Sequence, residues 1–294
     1  MSESIINILK AAPGKQHQVS HFDPEYTASL KKKETEPLLT ANIKELIDLQ
    51  AKLYADNRYA VLLVFQAMDA AGKDGTIKNV MSGLNPQGTE VYSFKSPSEV
   101  ELDHDYFWRT YNCMPSRGNF GIFNRSYYEE VLIVKVHPEF LLRQRLPGIK
   151  TIADITDSFW KRRYRQINDL EQHLTENGTI ILKFFLNVSK EQQKRRFLKR
   201  IEDSTRNWKF SSADVKEREH WDSYMLAYSD LLTHTSTEVA PWYVIPADNK
   251  SFMRYAVSEI ILNRLKSIDL SYPELPETEM IRLKEAKQLL ENEK

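Results

Sequence analysis

The chain has 294 residues, a size for one large α/β domain or two small ones, and its 41% hydrophobic and 28% charged content excludes a disordered tail. With 41 Lys and Arg against 41 Asp and Glu there is no global field to draw it to nucleic acid or an anionic membrane, so any anion site must come from local clusters. A single cysteine, Cys113, excludes an intramolecular disulfide and a multi-cysteine zinc site; with no cleavable leader in Met1–Gln16 and no membrane-length apolar run, the expected location is the cytoplasm.

From Met1 to about Glu36 the sequence is polar, with no sustained period, and reads as an extended arm with little core of its own. Leu39, Ile43, Leu46, Ile47 and Leu53 then fall at the spacing of an amphipathic helix over Leu38–Tyr54. The run Tyr59–Phe65 is short, apolar and partly β-branched, as suits a strand buried on both faces. Further strands are predicted at Glu90–Phe94, Phe120–Phe123, Thr179–Leu186 and Trp242–Ile245. Helical stretches alternate with them: Thr76–Ser82, Glu101–Tyr111, Ile152–Asn177 closed by Gly178, Lys190–Ile201 and Ser251–Lys266. The alternation predicts an α/β fold, a parallel sheet flanked by helices. Glu277–Glu293 reads as a charged accessory helix. The expected division is an arm and helix at 1–55, a core at 56–270 with a lid at about 189–235, and the accessory segment at 271–294.

After the first strand, Gln66-Ala-Met-Asp-Ala-Ala-Gly-Lys-Asp-Gly-Thr-Ile-Lys78 places Gly72-Lys73 between a strand and a helix, where backbone N–H groups and a helix N-terminus can hold phosphate oxygens. The match to G-x-x-x-x-G-K-[ST] is imperfect: Ala67 stands at the first glycine and Asp74 at the Ser/Thr position, with Thr76 two residues on. The candidate phosphate-binding residues here are Ala70, Ala71, Gly72, Lys73, Asp74, Gly75, Thr76 and Lys78. Asp69 is the more informative residue. A carboxylate in a loop built for anions is unfavourable unless it holds a metal or accepts a proton; the alternative is an Asp capping its own turn.

Beyond the third strand come Asn124, Arg125 and Glu129. A guanidinium for an acceptor phosphate and a carboxylate for metal, water or proton is one reading, and a surface Arg–Glu pair at four-residue spacing is the other. Two basic runs follow, Lys161–Arg165 and Lys190–Arg200. Each alone is a solvated face; beside a phosphate loop, a cationic lid closing over phosphates becomes the better account. Ser189–Gln192 has the form of a capping box that starts the second run at a strand's carboxyl end.

From about Tyr54 to about Asn249 the chain resembles the polyphosphate kinase 2 family. The likeness is carried by Met68–Ile77, Asn85-Pro-Gln-Gly88, Ser93–Pro97, His104–Arg109, Phe123–Glu129, Leu182–Leu186, Asn207–Ser211 and Ala240–Asp248, in one order. It implies a core like that of thymidylate kinase, with inorganic polyphosphate lying across the phosphate loop under a basic lid. It also implies Asp69 as the essential carboxylate that organises Mg²⁺ (Mn²⁺ being the alternative ion) and Lys73 as the loop lysine. Arg125 matches the arginine of the Asp/Asn-Arg-Ser motif, Arg196 and Arg200 the lid arginines, and Lys209 follows the lid tryptophan. Arg109 fits the arginine of the aromatic-rich helix before the third strand. The Asn124 and Glu129 version resembles the subgroup that phosphorylates AMP as well as ADP. The implied reaction is reversible transfer of the terminal phosphoryl group of polyphosphate to AMP and ADP, giving ADP and ATP, with guanine nucleotides as further acceptors and a homodimer or homotetramer as the assembly.

Two other readings stand beside this one: an ATP-dependent nucleoside monophosphate kinase, and a phosphate-loop module that binds polyanions without turnover. Nucleic-acid binding is not expected, because Trp160, Tyr164 and Ile167 share the spacing of a core stripe. The histidines lack metal-ligand spacing, and Cys113 has no catalytic partner in the sequence.

Overall fold

A computed structural model of the chain describes residues 3–205 and 207–293. Five strands, β1 (Ala60–Gln66), β2 (Thr89–Ser93), β3 (Phe120–Asn124), β4 (Thr179–Asn187) and β5 (Trp242–Pro246), form one sheet in the order β2-β3-β1-β4-β5, every pair parallel. Leu62 in β1 sits opposite Gly121 of β3 and Ile181 of β4. The central strand is buried along its whole length, which is why its sequence is apolar without alternation.

The helices in chain order are α1 (Glu3–Leu9), α2 (Lys32–Asp56), α3 (Lys73–Val80), α4 (Glu99–Leu102), α5 (Trp108–Tyr111), α6 (Ile133–Val136), α7 (Glu139–Leu142), α8 (Asp157–Glu176), α9 (Lys190–Glu202), α10 (Ser212–Glu217), α11 (Trp221–Thr235), α12 (Lys250–Lys266) and α13 (Glu277–Glu291). α2 and α3 pack on α12, and α8 packs on α11 and β4. Tyr164 and Ile167 of α8 are in the core, as their spacing predicts. Two residues past the end of α8 stands Gly178, whose φ of +90° and whose place 2.9 Å from the Arg58 carbonyl, measured from where a Cβ would stand, exclude a side chain. Among the described residues no helix is long and apolar enough to cross a membrane.

The structure departs from the sequence reading at several elements, among them the arm, α2, the segment 101–111 and α11. The arm does have a place in the core: Ile6, Leu9, Ala11 and Val19 are buried. It lies against the open edge of β5, where Ala11 N donates to the Trp242 carbonyl at 2.9 Å and Lys10 bridges antiparallel to Tyr243. An edge strand presents unpaired backbone groups, so even a short apolar segment gains by docking there. α2 begins at Lys32, six residues before its first predicted residue, because the Glu34 side chain accepts from Lys31 N and caps the helix. The helix predicted at Glu101–Tyr111 is broken into α4 and α5, since the Asp105 carboxylate accepts from Phe107 N and turns the chain. α11, which the sequence reading did not assign, buries Trp221, Tyr224, Tyr228, Leu231 and Leu232.

Candidate active site

Segments that follow the carboxyl ends of all five strands converge on one cleft of about 940 Å³. Its floor is the loop from β1 to α3. Gly72 caps α3 with φ +109°, a backbone conformation that favours glycine, and a Cβ there would also crowd Met253 of α12 at 3.3 Å. Ala70 is also left-handed, at φ +60°. With these two left-handed residues the loop brings the first turn of α3, whose N–H groups lack intrahelical acceptors, to the cleft wall, the setting of an anion nest.

Nine cationic side chains line the cleft, Lys73, Lys78, Lys95, Arg125, Arg196, Lys199, Arg200, Lys250 and Arg254, against the carboxylates of Asp69 and Asp74. Lys73 is buried and its Nζ donates to the Ala67 carbonyl at 2.9 Å. Burial, and then the nearby Arg125, push its pKa down; Asp69, Glu129 and Asp74 oppose this only in part. An ammonium held in this way gains when phosphate charge enters the site.

Arg125 donates from Nη2 to Asp69 Oδ1 at 3.0 Å. Burial works against its charge, but Glu129 and Asp69 together raise its pKa. Glu129 lies behind this pair, half-buried, with its pKa raised by burial against the pull of Arg125 and Lys73. The pairing therefore runs across the site from Arg125 to Asp69, in place of the local Arg125–Glu129 surface pair that was the alternative. Asn124 Nδ2 donates to Asp74 Oδ1 at 2.8 Å. An amide can donate to a carboxylate where a second carboxylate could only repel it.

The structure brings Asp69, Ala70, Ala71, Gly72, Lys73, Asp74, Gly75, Lys78, Asn124, Arg125, Arg196 and Arg200 to the cleft wall. It does not bring Thr76 there: that side chain is fully buried and its hydroxyl donates to the Gly72 carbonyl at 3.0 Å, serving the helix. Arg109 stands one layer back, donating to the Lys95 carbonyl at 2.6 Å beneath the Phe94 ring, so it supports Lys95 in place of a ligand. The side chain of Lys209 lies outside the described residues. Arg196 is committed to backbone: Nη1 donates to Ala70 and Ala71 carbonyls at 3.2 and 2.6 Å, and Nη2 to those of Ala247 and Asp248 at 2.5 and 3.1 Å. Its guanidinium ties the phosphate loop to the end of β5. Arg200, with Asp214 3.8 Å away, is less constrained.

Of the two basic runs only the second reaches the cleft. Arg162 and Arg165 are exposed on α8, and buried Arg163 pairs with Glu130 at 3.5 Å and Gln144 at 2.7 Å. The expected capping box at α9 is half formed. Ser189 Oγ accepts from Gln192 N at 3.1 Å, while Asp248, not Gln192, takes the Ser189 N–H at 2.8 Å. Sequence reasoning did not select Lys95, Lys250 or Arg254 as cleft residues, and it named Lys199 and Trp208 only within the lid, not as individual site residues. Lys199 shares a face with Arg196, which was a usable signal; Lys250 and Arg254 sit on an ordinary-looking helix and gave none.

Among the described residues no three His, Cys, Asp or Glu side chains converge as a metal site. Asp69 and Asp74, each with one oxygen spent on a neighbour, suit an ion that takes one or two carboxylates and completes its shell with substrate phosphates and water, the habit of Mg²⁺.

The family described as Polyphosphate kinase 2 (PPK2) matches residues 29–273. The ADP-polyphosphate phosphotransferase of Rhodopseudomonas palustris is 54% identical over 252 residues, 86% of this chain and 85% of that protein. The AMP/ADP-polyphosphate phosphotransferase of Meiothermus ruber is 41% identical over 272 residues, 92% of this chain and 96% of that one. Among solved structures, polyphosphate kinase 2 from Arthrobacter aurescens TC1 superposes with a TM-score of 0.84 at 37% identity, covering 95% of each chain.

Proposed function

The chain belongs to the polyphosphate kinase 2 family, and from that premise we propose that it moves the terminal phosphoryl group of inorganic polyphosphate onto AMP and ADP, giving ADP and ATP, and runs in reverse when ATP is abundant. The observation that carries this reading is the excess of nine cations over two carboxylates in a cleft floored by a phosphate loop. That charge suits a donor longer than the phosphates of one nucleotide, which favours polyphosphate over ATP and over binding without turnover.

Phosphoryl transfer needs positioning and charge neutralisation more than covalent help. Lys73 and the first N–H groups of α3 hold the donor phosphates, and Lys78, Lys95, Lys250 and Arg254 extend the cationic track. Arg200 supplies charge against the transferred group. Arg196, expected from the sequence to do the same, acts by fixing the loop carbonyls. Arg125 binds the acceptor phosphate and Asp69 orients it; that oxygen is already ionised, so no strong general base is required. Asp69, with Asp74, would hold Mg²⁺ or Mn²⁺ in its place, and the ion would supply charge neutralisation to the phosphates.

The acceptor range of AMP and ADP rests on Asn124 and Glu129, with guanine nucleotides as further acceptors. A second reading, ADP alone, is favoured by the name of the Rhodopseudomonas relative. We further place the protein in the cytoplasm as a dimer or tetramer, with the segments 1–55, 56–270 and 271–294 as arm, core with lid, and accessory helix. The test is nucleotide formation by the purified protein given long-chain polyphosphate, Mg²⁺ and AMP, with no nucleoside triphosphate. ADP and ATP together support the full reading. ATP from ADP but nothing from AMP confines it to diphosphates; silence with both returns the ATP-dependent kinase.

A further inference from the structure

α9 is a highly charged helix, yet it buries one amide side chain, Gln193, which is 1% exposed. Both ends of that amide are used. Nε2 donates to the Asp69 carbonyl at 2.8 Å, and Oε1 accepts from Arg218 Nη1. Arg218 also donates to the Lys190 carbonyl at 3.2 Å, so the turn after α10 is clamped to the start of α9 through the same side chain. One turn along α9, Arg196 holds the carbonyls of Ala70 and Ala71. Three successive loop carbonyls are thus captured by two side chains at i and i+3 of one helix.

A carbonyl held on the helix side fixes the peptide plane that follows it, and with it the direction of the side chain on the same residue. The Asp69 carboxylate meets Arg125 at 3.0 Å across the cleft, a geometry that requires a fixed Asp69 backbone. Among the described residues no other donor reaches the Asp69 carbonyl. A buried amide with both ends satisfied specifies one arrangement, whereas an apolar residue would fill the same space without specifying it.

We propose that Gln193 is a positioning residue for phosphoryl transfer, holding the Asp69 backbone so that its carboxylate stays aligned, and coupling that alignment to the lid through Arg218. This rests on the reading of Asp69 as part of the chemistry. Misplacement of a reacting group by about 1 Å costs on the order of 10²-fold in rate, so the effect falls on turnover and not on donor binding by the cationic track.

The test compares Gln193→Leu, Gln193→Glu, Asp69→Asn and the Gln193→Leu/Asp69→Asn double variant by kcat and KM for polyphosphate, with thermal melting as the fold control. Glu at this position keeps an acceptor for Arg218 but cannot donate to the Asp69 carbonyl when ionised, so it is read even where Leu perturbs folding. The expected result is a fall in kcat of roughly tenfold or more in both Gln193 variants, with KM within about threefold of wild type. In the double variant kcat should fall no further than in Asp69→Asn, since Gln193 acts through Asp69. Wild-type kcat in Gln193→Glu overturns the proposal while Asp69→Asn is still inactive. Full turnover in Asp69→Asn instead overturns the reading of Asp69 itself, and the proposal with it.

Discussion

Arg125 reaches across the cleft to Asp69 at 3.0 Å from a left-handed backbone, φ +66°, that an arginine rarely adopts. The chain holds this conformation because Arg125 N donates to the Phe65 carbonyl at the end of β1, as β3 finishes alongside it. Strain of this kind, on the order of 1–3 kcal/mol, persists where the surroundings over-determine it, and here it aims a guanidinium at a carboxylate in the phosphate loop.

Asp69→Asn should therefore keep the fold and lose the reaction. The amide can still accept from Arg125, but it cannot orient an ion and an acceptor phosphate as a carboxylate does. A fall in kcat of about 10²-fold or more is expected, with the melting temperature little changed. Steady-state rates with ADP and polyphosphate, beside a melting curve, check it.

Asn124→Asp replaces the amide that donates to Asp74 by a carboxylate 2.8 Å from another. The two groups would repel, or compete for a cation, and the acceptor side of the cleft would change its charge. The ratio of AMP to ADP phosphorylation is expected to fall by about tenfold, with the activity on ADP retained. Parallel assays on the two acceptors measure it, and an unchanged ratio would remove Asn124 from acceptor choice.

Lys183 and Glu171 form a different kind of pair. They meet at 2.6 Å with neither side chain exposed, and Tyr127, Tyr128 and the Thr235 carbonyl complete their hydrogen bonds. They lie outside the cleft. Lys183→Met should destabilise the protein by about 3–5 kcal/mol, because Glu171 is left charged and buried. Urea unfolding reads the loss, and kcat below the new transition should match wild type.

Glu129 gives a pH-dependent prediction. Burial, acting first, raises its folded-state pKa above the ordinary carboxylate value. The folded protein then holds this proton more tightly than the unfolded chain, so ionised Glu129 costs stability above its folded pKa and nothing below the unfolded value. Glu129→Gln is expected to melt higher than wild type at pH 8, with the difference shrinking to zero as the pH falls towards 4. Melting curves across that range test it; a constant difference would assign the effect to packing.

The strands were legible in the sequence because β1, β3, β4 and β5 are buried and write that burial as contiguous apolar runs. The phosphate loop was legible because its residues are consecutive. Lys95, Lys250 and Arg254 were not, since they join the cleft only when strand ends far apart in the chain are brought side by side. Arg196 was visible as a lid cation, yet its partners are backbone carbonyls, which no side-chain pattern records. The arm was misread for a similar reason: Ile6, Leu9 and Ala11 are too few to set a period, and only the edge of β5 gives them a use.

That docked arm changes what an N-terminal deletion would do. Cutting through Val19 would not trim a tail; it would strip the cover from the Trp242–Tyr243 edge of β5 and from the turn of α11 where Ser229 and Thr233 accept from Val19 and His17. The bared strand would offer its backbone to the corresponding edge of other copies, and the shortened chain would be lost to precipitation during expression before its chemistry could be assayed.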